Sequence, residues 1–270
     1  MDDETGAAAA AEEPERAEGF VQSLARGLAV ISAFDAEHPE MTLSEVARRT
    51  DLSRATARRF LLTLARLGYV RADRNRFALT PRVLRLGTAY LSSLGLPTVA
   101  RPHLQDLAAL LGESTSVAVL DGDDIVYVAR VATRRIMTVS ISVGTRFPAY
   151  AASMGRVLLA GLSDQALEAY LARVELIPLT NRTVRTPEAL RAELVKVRQQ
   201  GWALVDQELE IGLRSLAAPI HDARGQVVAA VNISTNASAV ASEPVPDLYR
   251  DALAATAAAI SADLVTTALD

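Results

Sequence analysis

The chain has 270 residues, half of them hydrophobic, with 28 basic residues against 32 acidic ones and no cysteine. That length suits one or two domains with a sizeable core, and the missing cysteine excludes disulfides and thiolate chemistry. No apolar run reaches the ~18 residues of a membrane span. The N-terminus also lacks the basic and apolar regions of a secretory leader, so a cytoplasmic protein without membrane association is expected.

Residues 1–19 hold an alanine run and seven acidic residues against one arginine, a composition that predicts a disordered acidic tail. Val21, Leu24, Leu28, Ile31 and Phe34 recur at helical spacing and predict a helix from Phe20 to Phe34 that packs behind the elements that follow. The polar stretch 35–40 ends it, since Pro39 disfavours continuation.

Residues 42–79 read as helix, turn, helix and hairpin. Thr42 with Glu45 fits a capping box, and Leu43, Val46 and Ala47 give the first helix an apolar stripe. Ser53 is an N-cap for the second helix. Ala57, Phe60, Leu61, Leu64 and Leu67 share one face of that helix, and Gly68 ends it. Tyr69-Val70 and Phe77-Ala78-Leu79 flank a turn, as the strands of a hairpin do. This is the layout of a winged helix-turn-helix.

The charge agrees with that layout. Residues 48–85 contain eleven arginines and two acidic residues, a local +9 in a chain whose total is −4, so the remainder carries −13. A basic patch on an acidic protein is the footprint of a phosphate-binding surface, and double-stranded DNA is the expected partner. Ser53, Arg54, Ala55, Thr56, Arg58 and Arg59 are the residues expected in the major groove. Arg71, Arg74 and Arg76 of the wing are expected on phosphates. Two other readings stand beside this one. Codon usage alone would give a solvated arginine-rich surface, but it would not align that surface with a helix-turn-helix. A domain that docks a protein partner would expose an apolar or mixed face, not arginines around Ala55.

Thr80-Pro81 is a helix start, and Val83, Leu84, Leu86, Tyr90, Leu91 and Leu94 give an apolar face that suits packing on its own chain or on a second subunit. Gly95 and Pro97 end this linker helix. From 98 to 270 the pattern is that of a second domain. A helix spans Val99–Leu111, and strands at Ser114–Leu120 and Ile125–Val131 form a hairpin, with a third strand at Met137–Val143. A loop, Gly144–Pro148, leads into a helix that ends at Leu162. Further helices run from Ser163 to Val174 and from Thr186 to Gly201. Strands follow at Ala203–Val205, Leu216–Ile220 and Val227–Ser234, then a helix from Pro246. Antiparallel strands covered by helices make the chain α+β overall. The boundaries read as 1–19 tail, 20–79 winged domain, 80–97 linker helix and 98–270 sensor domain.

Four segments in order carry a family resemblance: LSEVARRTDLSRATARRFLLTLARLGYV, FALTPRVLRLG, FPAYAASMGRVLLA and GLRSLAAPIHDARGQVVAAVNIS. Together they resemble the IclR family of bacterial transcriptional regulators over roughly residues 20–265. The resemblance implies a winged helix-turn-helix, a linker helix and a GAF-like α/β effector-binding domain. It also implies a homodimer or dimer of dimers on a palindromic operator. TRRIMTVSISVGTRFPAYAASMGRVLLA is most similar to regulators of protocatechuate, 4-hydroxybenzoate and β-ketoadipate catabolism, which implies a small carboxylate or aromatic acid as effector. Two positions depart from the common pattern: Tyr150 stands where His is frequent, and Ser215 where Cys is.

By resemblance the effector pocket is lined by Ser153, Met154, Gly155, Ser215, Asn232 and Ser234. Asn232 and Ser234 alternate with Val231 and Ile233, so both point to one strand face. There they hold a ligand carboxylate or satisfy nearby backbone. Gly155 serves either the pocket or close helix packing. Arg134, with Arg135 beside it, is a further candidate for the carboxylate, since arginine offers a bidentate fork; a surface hairpin charge pair is the other reading. No G-x-S-x-G, P-loop or G-x-G-x-x-G occurs, and the three histidines are scattered without metal-ligand spacing. An enzyme, a metal site and a cofactor are therefore not expected.

Overall fold

The structure, a computed structural model, describes residues 20–35, 37–87, 95–133, 141–237 and 246–267. The expected acidic tail, Arg134, Arg135, most of the strand expected at Met137–Val143, and Tyr90, Leu91 and Leu94 lie outside the described residues. The chain divides into two compact units between residues 88 and 89.

In the first unit α1 (Gln22–Ser32), α2 (Leu43–Arg49) and α3 (Arg54–Arg66) accompany β1 (Glu40–Thr42), β2 (Val70–Asp73) and β3 (Arg76–Leu79). The strands form an antiparallel sheet ordered β1-β3-β2. The capping box opens α2: Thr42 N–H donates to Glu45 Oε2 at 2.7 Å, and Glu45 N–H donates to Thr42 Oγ1 at 3.4 Å. Val30, Met41, Val46, Ala57, Leu61 and Val70 are buried together.

Three expectations for this unit are corrected. Only part of the apolar stripe assigned to α1 faces the core: Val21, Leu24 and Leu28 are 58%, 63% and 51% exposed, while Ile31 and Phe34 pack there with Val30 and Ala33. Helix α1 carries apolar residues on more than one face, and Gly27 lies on the side that meets the Phe60 ring of α3. Leu67 is 52% exposed at the end of α3, where the chain turns away. Strand β1 lies in a stretch expected to be loop and helix start. Its three residues extend because β3 offers a free edge, with Met41 opposite Phe77. Thr80 does cap a helix start, but the first turn is a 3-10 helix, Pro81–Val83.

Among the described residues the second unit is a six-stranded antiparallel sheet covered on both faces. Helix α4 (Leu96–Leu111) precedes β4 (Ser114–Asp121), β5 (Asp124–Val131) and β6 (Arg146–Pro148). Then come α5 (Ser153–Ala160), α6 (Asp164–Arg173) and α7 (Pro187–Gln200). Strands β7 (Ala203–Asp206), β8 (Leu213–His221) and β9 (Val227–Asn236) and helix α8 (Asp247–Thr267) complete it. The strand order is β6-β5-β4-β9-β8-β7. Strand β6 corrects the loop expected at Gly144–Pro148: Phe147 pairs with Ile125 on the open edge of β5, a contact no local signal announces.

The two sheet faces have separate cores. Val117, Val119, Val231, Ile233, Leu216 and Ala218 pack under α4 and α8. Ala118, Ala217 and Ala230 pack with Met154, Leu158 and Leu159 of α5 and with Leu190 and Leu194 of α7. Strict alternation sorts most strand residues between these faces. Strand β5 breaks it, because Val117 pairs with Ala129 while Ala118 pairs with Tyr127, leaving Val128 as an extra residue. Such a bulge re-aims the side chains beyond it.

Candidate functional site

In the first unit the exposed side of α3 is basic. Its N-cap, Ser53, accepts a hydrogen bond from Thr56 N–H at 3.2 Å, and the two hydroxyls lie 2.9 Å apart. Arg54, Ala55, Arg58 and Arg59 are exposed, and among the described residues none of these arginines has an ion-pair partner. Ala57, Leu61 and Leu64 hold the opposite side of the helix in the core. Ser53 and Thr56 therefore serve the helix start first, and the arginines stand free. The wing differs. Arg71 pairs with the Glu40 carboxylate, and Arg76 Nη1 donates to the Glu40 backbone oxygen at 3.4 Å. Arg74 is exposed at the hairpin tip, in a left-handed backbone conformation at φ 53°.

In the second unit the sheet meets the start of α5 around a small cavity. Tyr127, Met154, Leu209 and Leu213 supply the apolar wall, and Ser153, Ser215, Asn232 and Ser234 the polar one. The space open to the centre of a water molecule is about 20 Å³, room for about one water. The polar groups form one network. Ser153 and Ser215 hydroxyls are 2.7 Å apart, and Ser215 Oγ donates to Ile233 O at 3.3 Å. The Asn232 amide nitrogen donates to Ser215 Oγ at 2.9 Å and Ser234 Oγ at 3.1 Å. Asn232 Oδ1 is buried without a partner, an uncommon condition that invites a ligand donor. Ala152 provides no side-chain cap for α5, so the unpaired N–H groups of its first turn belong to this polar wall and favour an anion.

Gly155 does not line the cavity. A Cβ there would lie 2.1 Å from Ala149 O, so its work is the close packing of α5 on the preceding backbone. Tyr127 was not anticipated, although its alternation with Ile125 on β5 was a usable signal. Burial pushes its phenol up to about 12, which keeps it a neutral hydroxyl near pH 7. Arg156 and Glu208 were also missed. Arg156 Nη2 donates to Glu208 Oε2 at 2.6 Å and its Nε to Tyr150 O at 3.0 Å, joining α5 to the loop that carries Leu209. The two residues are 52 positions apart, and nothing local in the sequence pairs them. Among the described residues no group of three His, Asp or Glu is placed to hold a metal ion, and no helix is long and apolar enough to cross a membrane.

Comparison with known proteins covers both units. Residues 23–74 match the IclR helix-turn-helix domain, and residues 88–262 match the bacterial transcriptional regulator IclR C-terminal domain. The Pca regulon regulatory protein of Pseudomonas putida is 50% identical over 222 residues, which is 82% of this chain and 76% of that protein. The p-hydroxybenzoate hydroxylase transcriptional activator of Acinetobacter baylyi is 36% identical over 230 residues, 83% of this chain and 85% of that one. A transcriptional regulator from Rhodococcus sp. RHA1 of known crystal structure is 57% identical, with a TM-score of 0.78, 92% of this chain and 100% of that chain covered. An IclR homolog from Microbacterium hydrocarbonoxydans, crystallised with 4-hydroxybenzoate, is 26% identical with a TM-score of 0.79, covering 90% and 98%. These relatives are named as regulators and none as an enzyme. The reading of the N-terminal domain as a protein-docking module finds no support among them.

Proposed function

The chain belongs to the IclR family of bacterial DNA-binding transcriptional regulators, and on that premise we propose that it controls genes of aromatic-acid catabolism in response to a small carboxylate effector. Protocatechuate, 4-hydroxybenzoate and β-ketoadipate are the candidate effectors. The Ser153–Ser215–Asn232–Ser234 network beside the uncapped start of α5 carries this reading: it places hydroxyl, amide and backbone donors around one cavity with an apolar wall. The polar groups suit the oxygens of such an acid and the wall suits its carbon skeleton. An aromatic ring exceeds the present space, so binding enlarges the cavity.

On the DNA side, Arg54, Arg58 and Arg59 are assigned to the major groove, with Ser53, Ala55 and Thr56 at the helix start, and Arg74 and Arg76 to phosphates. Arg71 joins them only by exchanging Glu40 for phosphate. The protein acts in the cytoplasm as a homodimer, or a dimer of dimers, on a palindromic operator, because paired half-sites overcome the weak grip of a single winged domain. The exposed Val21, Leu24 and Leu28 of α1, with Leu84 and Leu86 beyond the wing, provide apolar surface for that association.

The test is calorimetric titration of the full chain with the three acids, repeated on Asn232→Ala and Ser234→Ala. A hydrogen bond contributes about 0.5–1.5 kcal/mol, and roughly 1.5–3 where the ligand group is charged. Each substitution is expected to weaken effector binding accordingly while leaving effector-free operator affinity unchanged. A double variant that titrates like the parent would remove the site.

A further inference from the structure

Arg130 does not line the cavity as it stands, yet the fold places it on the same sheet face. By plain alternation it would lie on the face opposite Tyr127. The extra residue Val128 reverses this: Val128 and Ala129 both pack under α4 and α8, and Arg130 falls opposite Ser116. Ser116 is itself opposite Asn232 on β9. Arg130, Ser116 and Asn232 thus form one row across three strands, on the face that α5 covers. Arg130 Nη1 donates to Ser116 Oγ at 3.1 Å. A guanidinium at Ser116 stands about one strand spacing, ~5 Å, from the Asn232 row position.

What Arg130 lacks is an anion. Its Nε is buried without a partner. Among the described residues no carboxylate lies in ion-pair range of it. Burial lowers the affinity of the guanidinium for its own proton, which nearby Tyr127 offsets only in part. A cation taken out of water is costly unless an opposite charge and hydrogen bonds answer it. The fully buried arginines among the described residues show the contrast: Arg156 has Glu208, and Arg214 has Asp206 at 3.1 Å.

We propose that Arg130 is the anion anchor of the effector pocket, its free Nε edge taking a carboxylate oxygen of the bound acid. The network at Asn232, whose Oδ1 lacks a donor, then takes a polar group at the other end of the same molecule. The ligand class is an acid with a second polar terminus, as in a hydroxylated aromatic acid or a keto-dicarboxylic acid. This inference rests on the pocket reading given above.

The experiment titrates the full chain with protocatechuate, 4-hydroxybenzoate and β-ketoadipate, each beside its neutral primary amide. Wild type is expected to prefer an acid to its amide. Arg130→Gln should lower affinity for the acid roughly 10- to 150-fold, the range for a hydrogen bond to a charged group, and leave the amide nearly unchanged. Arg130→Lys keeps the charge without the planar fork and should fall between. If Arg130→Gln does not fold, the acid-to-amide ratio of Arg130→Lys decides. An unchanged ratio in whichever variant folds overturns the assignment while leaving the pocket in place. A wild type that binds none of the acids overturns the pocket reading itself, and this one with it.

Discussion

Replacing Arg156 with methionine should destabilise the effector domain severely. The Arg156 and Glu208 side chains are 2% and 11% exposed, so solvent screens neither. The substitution removes the 2.6 Å bond to Glu208 and the 3.0 Å bond to Tyr150 O. It leaves Glu208 with one further donor to its carboxylate, Val184 N–H at 3.0 Å. Breaking a buried pair from one side costs about 3–5 kcal/mol, because a charge is left in low dielectric. For a domain of this size each kcal/mol moves Tm by about 2–4 °C, so a fall of about 6–20 °C is expected. The single tryptophan, Trp202, packs against the α4–α8 core, so its fluorescence follows this unit during urea and thermal melts. Arg156→Met with Glu208→Leu should recover part of the loss, since an apolar pair can replace a buried ionic one. Arg191→Ala is the control: its pair with Glu168 is 45% and 57% exposed and should matter by less than about 1 kcal/mol. An Arg156→Met protein within about 1 kcal/mol of wild type would refute the reasoning.

Other substitutions probe the remaining assignments. Gly155→Ala puts a methyl group into the Ala149 backbone and should cost at least the ~1–3 kcal/mol of an overpacked core, read as a lower urea midpoint; an unchanged midpoint would show that α5 can shift. Arg58→Ala or Arg59→Ala should each cost about 1–3 kcal/mol in gel shifts where the arginine reads a base, and a double variant with wild-type affinity would dismiss α3 as the reading helix. Arg74→Ala should weaken binding to all sequences alike and reduce the salt slope by about one; sequence-selective loss would argue for base contact instead. The Glu45 carboxylate is held below its usual range, chiefly by the Thr42 backbone N–H and hydroxyl. Its contribution to stability is therefore complete above the ordinary carboxylate range and is lost as pH falls through the depressed value. Melts of wild type and Glu45→Gln should converge in acid, and curves that stay parallel would count against the cap. Sedimentation at micromolar concentration should find at least a dimer; a clean monomer would contradict the proposed assembly.

Local chemistry made much of this protein legible in one dimension. The Thr42–Glu45 box, the Ser53 cap, the apolar face of α3 and the arginines opposite it involve residues within a few positions of each other. Helix periodicity therefore reveals them. Asn232 and Ser234 were likewise readable, because alternation along one strand assigns both to one face. Long-range pairing decided the rest. Glu40–Thr42 became a strand only because β3 presented an edge, and Arg146–Pro148 because β5 did. Helix α1 carries apolar residues around much of its circumference, and packing against the rest of the unit selected Val30, Ile31, Ala33 and Phe34 from among them. Arg156 and Glu208 meet across 52 residues, a distance over which sequence spacing carries no geometry. Arg130 is the sharpest case. Alternation from Tyr127 sends it to the wrong face, and a one-residue bulge set by pairing with β4 returns it to the pocket side. A bulge belongs to two strands at once, so neither strand's sequence contains it.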